Sequence, residues 1–379
     1  MAFNFDEGID RRHSDCKKWH KFGEEVLPMW VADMDFRSPD CIIDALHQRV
    51  AHGVFGYGDV PRELISTVVE RMASRYQWNI KPEWVVVLPG VVAGLNLCVR
   101  AFTSADESSI APTPVYPPFK KSAVLADRAQ LNAPLRLEHN RWLMDLPSLA
   151  SQLTGKEKLL MLCNPQNPGG TAYRREELEQ QLAFAQQHDM IVCSDEIHCD
   201  LLLEPGVKHI PFATLSEDAA QRSVTLISPS KTYNIAGLGA SIAIIPDPDL
   251  RRRFNKIREG IVPSVDILAL TAANAAWREG DAWLEALLPY LRRNRDRLVQ
   301  AVNGLAGLEM VSPEATYLAW VDASKLGVEN PALFFQKAGL GFSPGSEFGD
   351  GNFVRINFGC PAFMLEDAIG RMQTAVNEL

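Results

Sequence analysis

Short apolar runs alternate with stretches of helical periodicity, and that alternation leaves this chain few folds. Trp84–Leu88 is a β-rich run closed by Pro89-Gly90, and 91–102 then reads as a helix. Leu159–Cys163 runs into the turn Asn164-Pro165-Gln166-Asn167-Pro168-Gly169-Gly170. Leu178, Leu182 and Ala185 give the stretch 176–188 one apolar face, and Met190–Cys193 follows as another strand run. Val224–Ile227 and Ser241–Ile245 are two more. Strands that alternate with amphipathic helices connect by crossovers, which predicts an α/β fold with a largely parallel sheet.

The two ends read differently. Ser38 looks like a helix cap with Pro39 at the first helical position, and Ile42, Leu46 and Val50 follow on one face. Leu365, Ile369, Met372 and Val376 outline a packed closing helix. Thr316–Val321 reads as a strand of a separate, smaller domain. With 379 residues and about 100–200 per domain, two domains or one large domain with an appendage are expected. The expected division is an N-terminal arm over 1–45 associated with the small domain, a large domain over 46–284, and a small C-terminal domain over 285–379.

Composition narrows the function classes. A net charge of −9 disfavours a nucleic-acid partner, which calls for a basic stripe. The apolar runs fall far short of the ~20 residues that cross a bilayer, and the first twenty residues hold no apolar signal core. Seven cysteines lie scattered without a Cys-x-x-Cys pair, which suits reduced thiols in a cytoplasm and gives no reason to expect a metal.

In an open α/β sheet, ligands sit at the carboxyl ends of the strands. Those ends gather Gly90 to Ala93, Asn167, Asp195 and Ser228-Pro229-Ser230-Lys231. The set offers an amine, an acid, an amide and a helix N-terminus suited to a phosphate. Pyridoxal phosphate (PLP) chemistry needs that set: an amine to form the imine, and a carboxylate to keep the pyridine nitrogen protonated.

Four motifs carry a resemblance as well. Asn164 to Gly170, Ser194-Asp195-Glu196-Ile197-His198, Ser228-Pro229-Ser230-Lys231-Thr232 and Arg355-Ile356-Asn357-Phe358-Gly359 stand in the order of the fold-type I PLP enzymes. The intervals, 28 residues from Asn167 to Asp195 and 36 from there to Lys231, are similar to the aminotransferase pattern. The resemblance spans Trp30 to Arg355. It implies a large PLP-binding domain with a mostly parallel seven-stranded sheet plus a smaller α+β domain.

By that resemblance Lys231 is the Schiff-base lysine, Asp195 pairs with the ring nitrogen, and Asn167 and His198 reach the ring hydroxyl. Tyr116 stacks on the ring. Ser228 and Ser230, with the N–H groups of Val92 and Ala93, hold the phosphate. Arg355 clamps the carboxylate of an amino-acid substrate, with Asp33 also on the substrate side. Tyr57, in Phe55-Gly56-Tyr57-Gly58, serves the neighbouring subunit's phosphate, which implies a homodimer with shared sites; Tyr57 and Tyr116 are possible proton donors.

Each residue has an ordinary alternative: a solvated lysine, a capping aspartate, a turn asparagine, a packed tyrosine, a strand-edge arginine, a core histidine. The ordered motifs outweigh these. Gly237-Leu238-Gly239 lacks the third glycine of a dinucleotide fingerprint and precedes a strand.

Three departures then separate reaction types. Position 239 is Gly where many aminotransferases carry an arginine, His198 stands where many carry tyrosine, and Trp30-Val31-Ala32-Asp33-Met34-Asp35-Phe36 lies near the N-terminus. These resemble the MalY/PatB family of carbon–sulfur β-lyases, of which cystathionine β-lyase activity is typical. The expected reaction is α,β-elimination from cystathionine or related cysteine S-conjugates. A class I/II aminotransferase is the alternative, and a PLP-bound regulatory protein of low turnover a third.

Overall fold

The structure is a computed structural model that describes residues 3–379. Its main sheet has strands β1 (Val85–Leu88), β2 (Ser108–Thr113), β3 (Ala129–Glu138), β4 (Arg141–Met144), β5 (Glu157–Cys163), β6 (Ile191–Asp195), β7 (Ser223–Ile227) and β8 (Ser241–Ile244). They lie in the order β1-β8-β7-β6-β5-β2-β3-β4, eight strands where seven were expected. The run from β7 through β6, β5 and β2 to β3 is parallel, while β8 and the edge strands β1 and β4 pair antiparallel.

The central strands are apolar in unbroken runs because helices cover both faces. Leu159, Leu160, Met161 and Leu162 of β5 are almost wholly buried, as are Val192 and Cys193 of β6 and Val224 and Leu226 of β7. Register places Cys163 beside Asp195 and Asp195 beside Leu226. The carboxyl ends of three neighbouring strands therefore finish at one level, and Asn167, Asp195 and Lys231 leave the sheet together.

A second, four-stranded antiparallel sheet contains β9 (Glu309–Met310), β10 (Leu318–Asp322), β11 (Ser343–Pro344) and β12 (Phe353–Asn357), in the order β9-β10-β12-β11. Arg355 sits in its middle, opposite Trp320 on one side and Ser343 on the other. Leu27–Pro28 pairs in parallel with Leu340–Gly341, tying the N-terminal stretch to this part of the chain. The helix Asp281–Asn303 runs continuously through position 284.

Two details depart from the sequence reading. The helix after Ser38 begins at Asp40, and Pro39 holds the cap position. Ser38 does not cap it; its hydroxyl donates to the Asn234 carbonyl at 3.0 Å. Val50, at the far end of the expected apolar face, is 48% exposed, while Ile42 is buried. The closing helix Ala362–Asn377 does bury Leu365, Ile369 and Met372.

Candidate active site

A cavity of about 470 Å³ opens where the strand ends meet the second sheet. Lys231, Asp195, Asn167, Tyr116, His198 and Arg355 all border it. Gly90 leads from β1 into the helix Val91–Phe102, with open space where a side chain would stand. Val92, Ser228 and Ser230 also border the cavity. The Ser228 hydroxyl donates to the Ala240 carbonyl at 2.6 Å and accepts from the Ser230 N–H at 3.1 Å; the two serine oxygens lie 2.9 Å apart. Ala93 does not border the cavity, and its N–H donates to the Gly90 carbonyl at 3.1 Å.

Lys231 follows β7 by the Ser228-Pro229-Ser230 turn, and its Nζ donates to the Ala32 carbonyl at 2.6 Å. Burial pushes its pKa down to about 8; Asp33 and Asp195 oppose the shift and the Arg355 charge adds to it. Asp195, 3% exposed, accepts from the Ile197 N–H at 3.1 Å and has no ion-pair partner among the described residues. Burial pushes its carboxyl up to about 7, with Glu196 acting the same way and Lys231 opposing. A buried carboxylate without a cation is costly, and a protonated ring nitrogen would relieve it.

His198 is buried, and its imidazole is held down to about 3 by burial, then by Lys231 and Arg355. The ring is therefore neutral at working pH, and its Nδ1 is buried without a partner. Asn167 accepts from Arg355 Nη1 at 3.0 Å through Oδ1, and its carbonyl accepts the Tyr116 N–H at 3.1 Å. Burial raises the Tyr116 hydroxyl above its ordinary range, partly offset by Arg355.

Arg355 is deeply buried, with its guanidinium carbon 4.5 Å from the Phe348 ring centre. Nη2 donates to the Trp30 carbonyl at 2.7 Å, while Nε is buried without a partner. Burial lowers its pKa to about 10, with Tyr116, Tyr317 and Glu347 opposing. An unpartnered, desolvated guanidinium N–H is an open position for a carboxylate oxygen.

Trp30, Val31 and Ala32 form one wall of the cavity. The surrounding stretch Met29–Phe36 is held by side chains that donate to its carbonyls and by backbone bonds, among them the Met29 and Asp35 N–H groups donating to the Gly341 and Gly359 carbonyls. Arg355 and Ser343 reach Trp30, Asn357 reaches Val31 and Asp33, and Lys231 and Tyr317 share Ala32. Asn234 takes the N–H and carbonyl of Met34.

The structure does not bring two expected site residues, Ala93 and Asp33, to the cavity, and Tyr57, expected to serve a neighbouring subunit, lies outside it. The Asp33 carboxylate does not border the cavity, because Arg11 holds it at 3.0 Å and Lys18 lies 3.6 Å away. Tyr57 is fully exposed in a stretch without regular structure and stands outside this chain's cavity. Sequence reasoning missed Tyr317, which it placed only in a strand, and Ser343. Both contact the wall through a carbonyl, which leaves no motif.

Comparison with known proteins agrees with this geometry. The class I and II aminotransferase pattern matches residues 24–372. The chain belongs to the class I and II aminotransferase family. Cystathionine beta-lyase PatB of Bacillus subtilis (strain 168) is 37% identical to it, over 99% of this chain and 100% of that protein. Among solved structures, OvoB superposes with a TM-score of 0.98 at 62% identity, covering 100% of both chains. The PLP-bound C–S lyase from Staphylococcus hominis superposes at 0.93 with 32% identity, covering 99% of this chain and 98% of that one. Within this family the donor set suits PLP. The cavity offers an amine, an unpaired buried carboxylate, an orphaned imidazole nitrogen and a bare helix N-terminus flanked by two hydroxyls. Among the described residues, no cluster of His, Cys, Asp or Glu is placed to hold a metal ion.

Proposed function

We propose that this chain is a PLP-dependent carbon–sulfur β-lyase that cleaves cystathionine or related cysteine S-conjugates to a thiol, pyruvate and ammonia. One observation carries the reading: Lys231, Asp195 and Arg355, from three separate segments, border a single cavity. Lys231 would anchor the cofactor, Asp195 would meet its ring nitrogen, and Asn167, His198 and Tyr116 would contact its ring. Val92, Ser228 and Ser230 would take its phosphate. When bound, PLP supplies an electron sink for negative charge at the substrate Cα.

The chain's own residues do the rest. Arg355 would bind the α-carboxylate through its free Nε. The Lys231 amine would take the Cα proton, and its lowered pKa matters for that task. At pH 7.5 an amine with a pKa of about 8 is about one quarter free base, against about one part in a thousand at the ordinary value. The Cβ–S bond then breaks, and the electron pair leaves on the thiolate. Ala32 and Tyr317 would keep the amine beside the cavity.

Gly239 favours the lyase over the aminotransferase reading. It adopts φ +55°, and a Cβ there would lie 2.9 Å from the Pro89 carbonyl oxygen, so an arginine at this position is disfavoured. The test is incubation of pure enzyme with cystathionine and no keto-acid acceptor. Equimolar pyruvate and thiol are expected; an absolute need for an acceptor would establish the aminotransferase instead.

A homodimer is part of the same proposal. Val54, Phe55, Tyr57 and Val60 are all exposed on one short stretch, where Tyr57 can serve a second copy's phosphate site. The proposed arm, large domain and small domain are 1–45, 46–284 and 285–379, with the second boundary inside the continuous helix Asp281–Asn303. A cytoplasmic setting suits seven free cysteines, and no described helix is long and apolar enough to cross a membrane.

A further inference from the structure

β6 sends its residues alternately to the two faces of the main sheet. Cys193 and Asp195 lie on one face, where Asp195 borders the cavity. Val192, Ser194 and, just past the strand, Glu196 lie on the other, against Phe212. Glu196 itself does not border the cavity.

Glu196 is 1% exposed, and no lysine or arginine pairs with it among the described residues. Three donors answer it instead. The Ser194 hydroxyl and the Phe212 N–H each donate to Oε1 at 2.9 Å, and His209 Nε2 lies 2.7 Å from Oε2. A carboxylate accepts, so Nε2 carries the proton. His209 is thus the one donor to Oε2 among the described residues, and the Tyr76 ring packs edge-on against its imidazole at 5.5 Å.

Asp195 is held less directly. Its carboxyl takes a single N–H from the chain, that of Ile197, so its aim depends on the backbone on either side. There the Asp195 carbonyl accepts from the Asn164 N–H at 2.9 Å, and the Glu196 N–H donates to the Leu226 carbonyl at 2.8 Å. The Glu196 side chain pins the same peptide from the reverse face of the sheet. A buried carboxylate that loses a donor is driven to seek another, and any turn of Glu196 passes to the peptide it shares with Asp195.

We propose that Glu196 and His209 are positioning residues for Asp195. Their bond behind the sheet fixes how the Asp195 carboxylate meets the cofactor ring nitrogen, and through that the protonation of the ring. The inference rests on the PLP reading and extends the site to two residues outside the cavity, neither of which touches cofactor or substrate.

The test loads the enzyme with PLP isotope-labelled at the ring nitrogen and reads that nitrogen's protonation by NMR. The PLP dissociation constant and the melting temperature of cofactor-free protein are measured beside it. His209→Leu removes the donor, and His209→Gln keeps an amide N–H to replace Nε2. In His209→Leu, PLP should bind about tenfold more weakly, the low end of what losing one charge-assisted hydrogen bond costs, and the protonated-ring signal should fall. His209→Gln should return both towards wild type. A His209→Leu protein that melts lower yet keeps the wild-type ring signal and PLP affinity would reduce the pair to a structural contact and overturn the inference. A Gln variant as impaired as the Leu variant would overturn it too. If His209→Leu does not fold, Glu196→Gln, matched in size, carries the same expectation and the same refutation. Wild type that takes up no PLP would refute the cofactor reading itself, and this inference with it.

Discussion

Replacing Arg355 by lysine preserves a positive charge and removes the fork that holds it in place. The guanidinium donates through Nη1 to Asn167 Oδ1 at 3.0 Å and through Nη2 to the Trp30 carbonyl at 2.7 Å, and keeps Nε for the substrate. A single lysine nitrogen on a flexible stem cannot serve the wall and a carboxylate in that geometry. Loss of one charge-assisted hydrogen bond is worth about 1.5–3 kcal/mol, which is about 10- to 150-fold in kcat/KM. The assay compares a cysteine S-conjugate with the matching cysteamine conjugate, which lacks the carboxylate, by the dissociation constant read from cofactor absorbance. The cysteine conjugate should weaken by about that factor and the cysteamine conjugate by much less. Equal weakening of both would refute the carboxylate role and reduce Arg355 to a tether for the Trp30–Ala32 wall.

Three further outcomes follow from the site. Amine-directed acylation of cofactor-free protein, mapped by peptide mass, should label Lys231 with a midpoint near pH 8, because free base appears as pH rises through the lowered value; a midpoint near 10.5 would contradict its burial. In cofactor-free protein the Asp195 carboxyl titrates near 7 instead of 3.8, so its contribution to stability is full below about pH 4 and lost as pH rises through about 7. Asp195→Asn should therefore melt above wild type near pH 8 without cofactor, yet bind PLP more weakly; identical melting near pH 8 would argue against an unpaired buried charge. Gly239→Arg should weaken cofactor retention and produce no transamination, since a side chain in the left-handed region costs about 1–2 kcal/mol before its contact with Pro89; tighter PLP binding in that variant would show the arginine can be accommodated.

Much of the fold was legible because it rests on local pattern. Apolar runs at 159–163 and 224–227 became β5 and β7, and the helix after Gly90 begins and ends where periodicity placed it. The strand of Thr316–Val321 shifted by about two residues to β10, because Thr316 is held in a turn with φ +72°. Ser38 misled because capping was judged from its neighbours alone. Its hydroxyl is taken by the Asn234 carbonyl, 196 residues away in sequence. Asp33 misled similarly: its motif lies at the cavity wall, but Arg11 turns the carboxylate away from it.

By itself, the sequence determined which chemistry-bearing side chains leave the strand ends. Ligands gather at the carboxyl ends of such strands, so Asp195 at the end of one strand and Asn167 and Lys231 in the turns just after two others could be named as candidates. Only the tertiary structure decided what surrounds them. The Ala32 and Trp30 carbonyls that receive Lys231 and Arg355 belong to the backbone, which is chemically the same in every residue and leaves no trace in residue type. Depth of burial likewise comes from packing between distant segments, and it is burial that brings the Lys231 amine down to about 8 and the Asp195 carboxyl up to about 7.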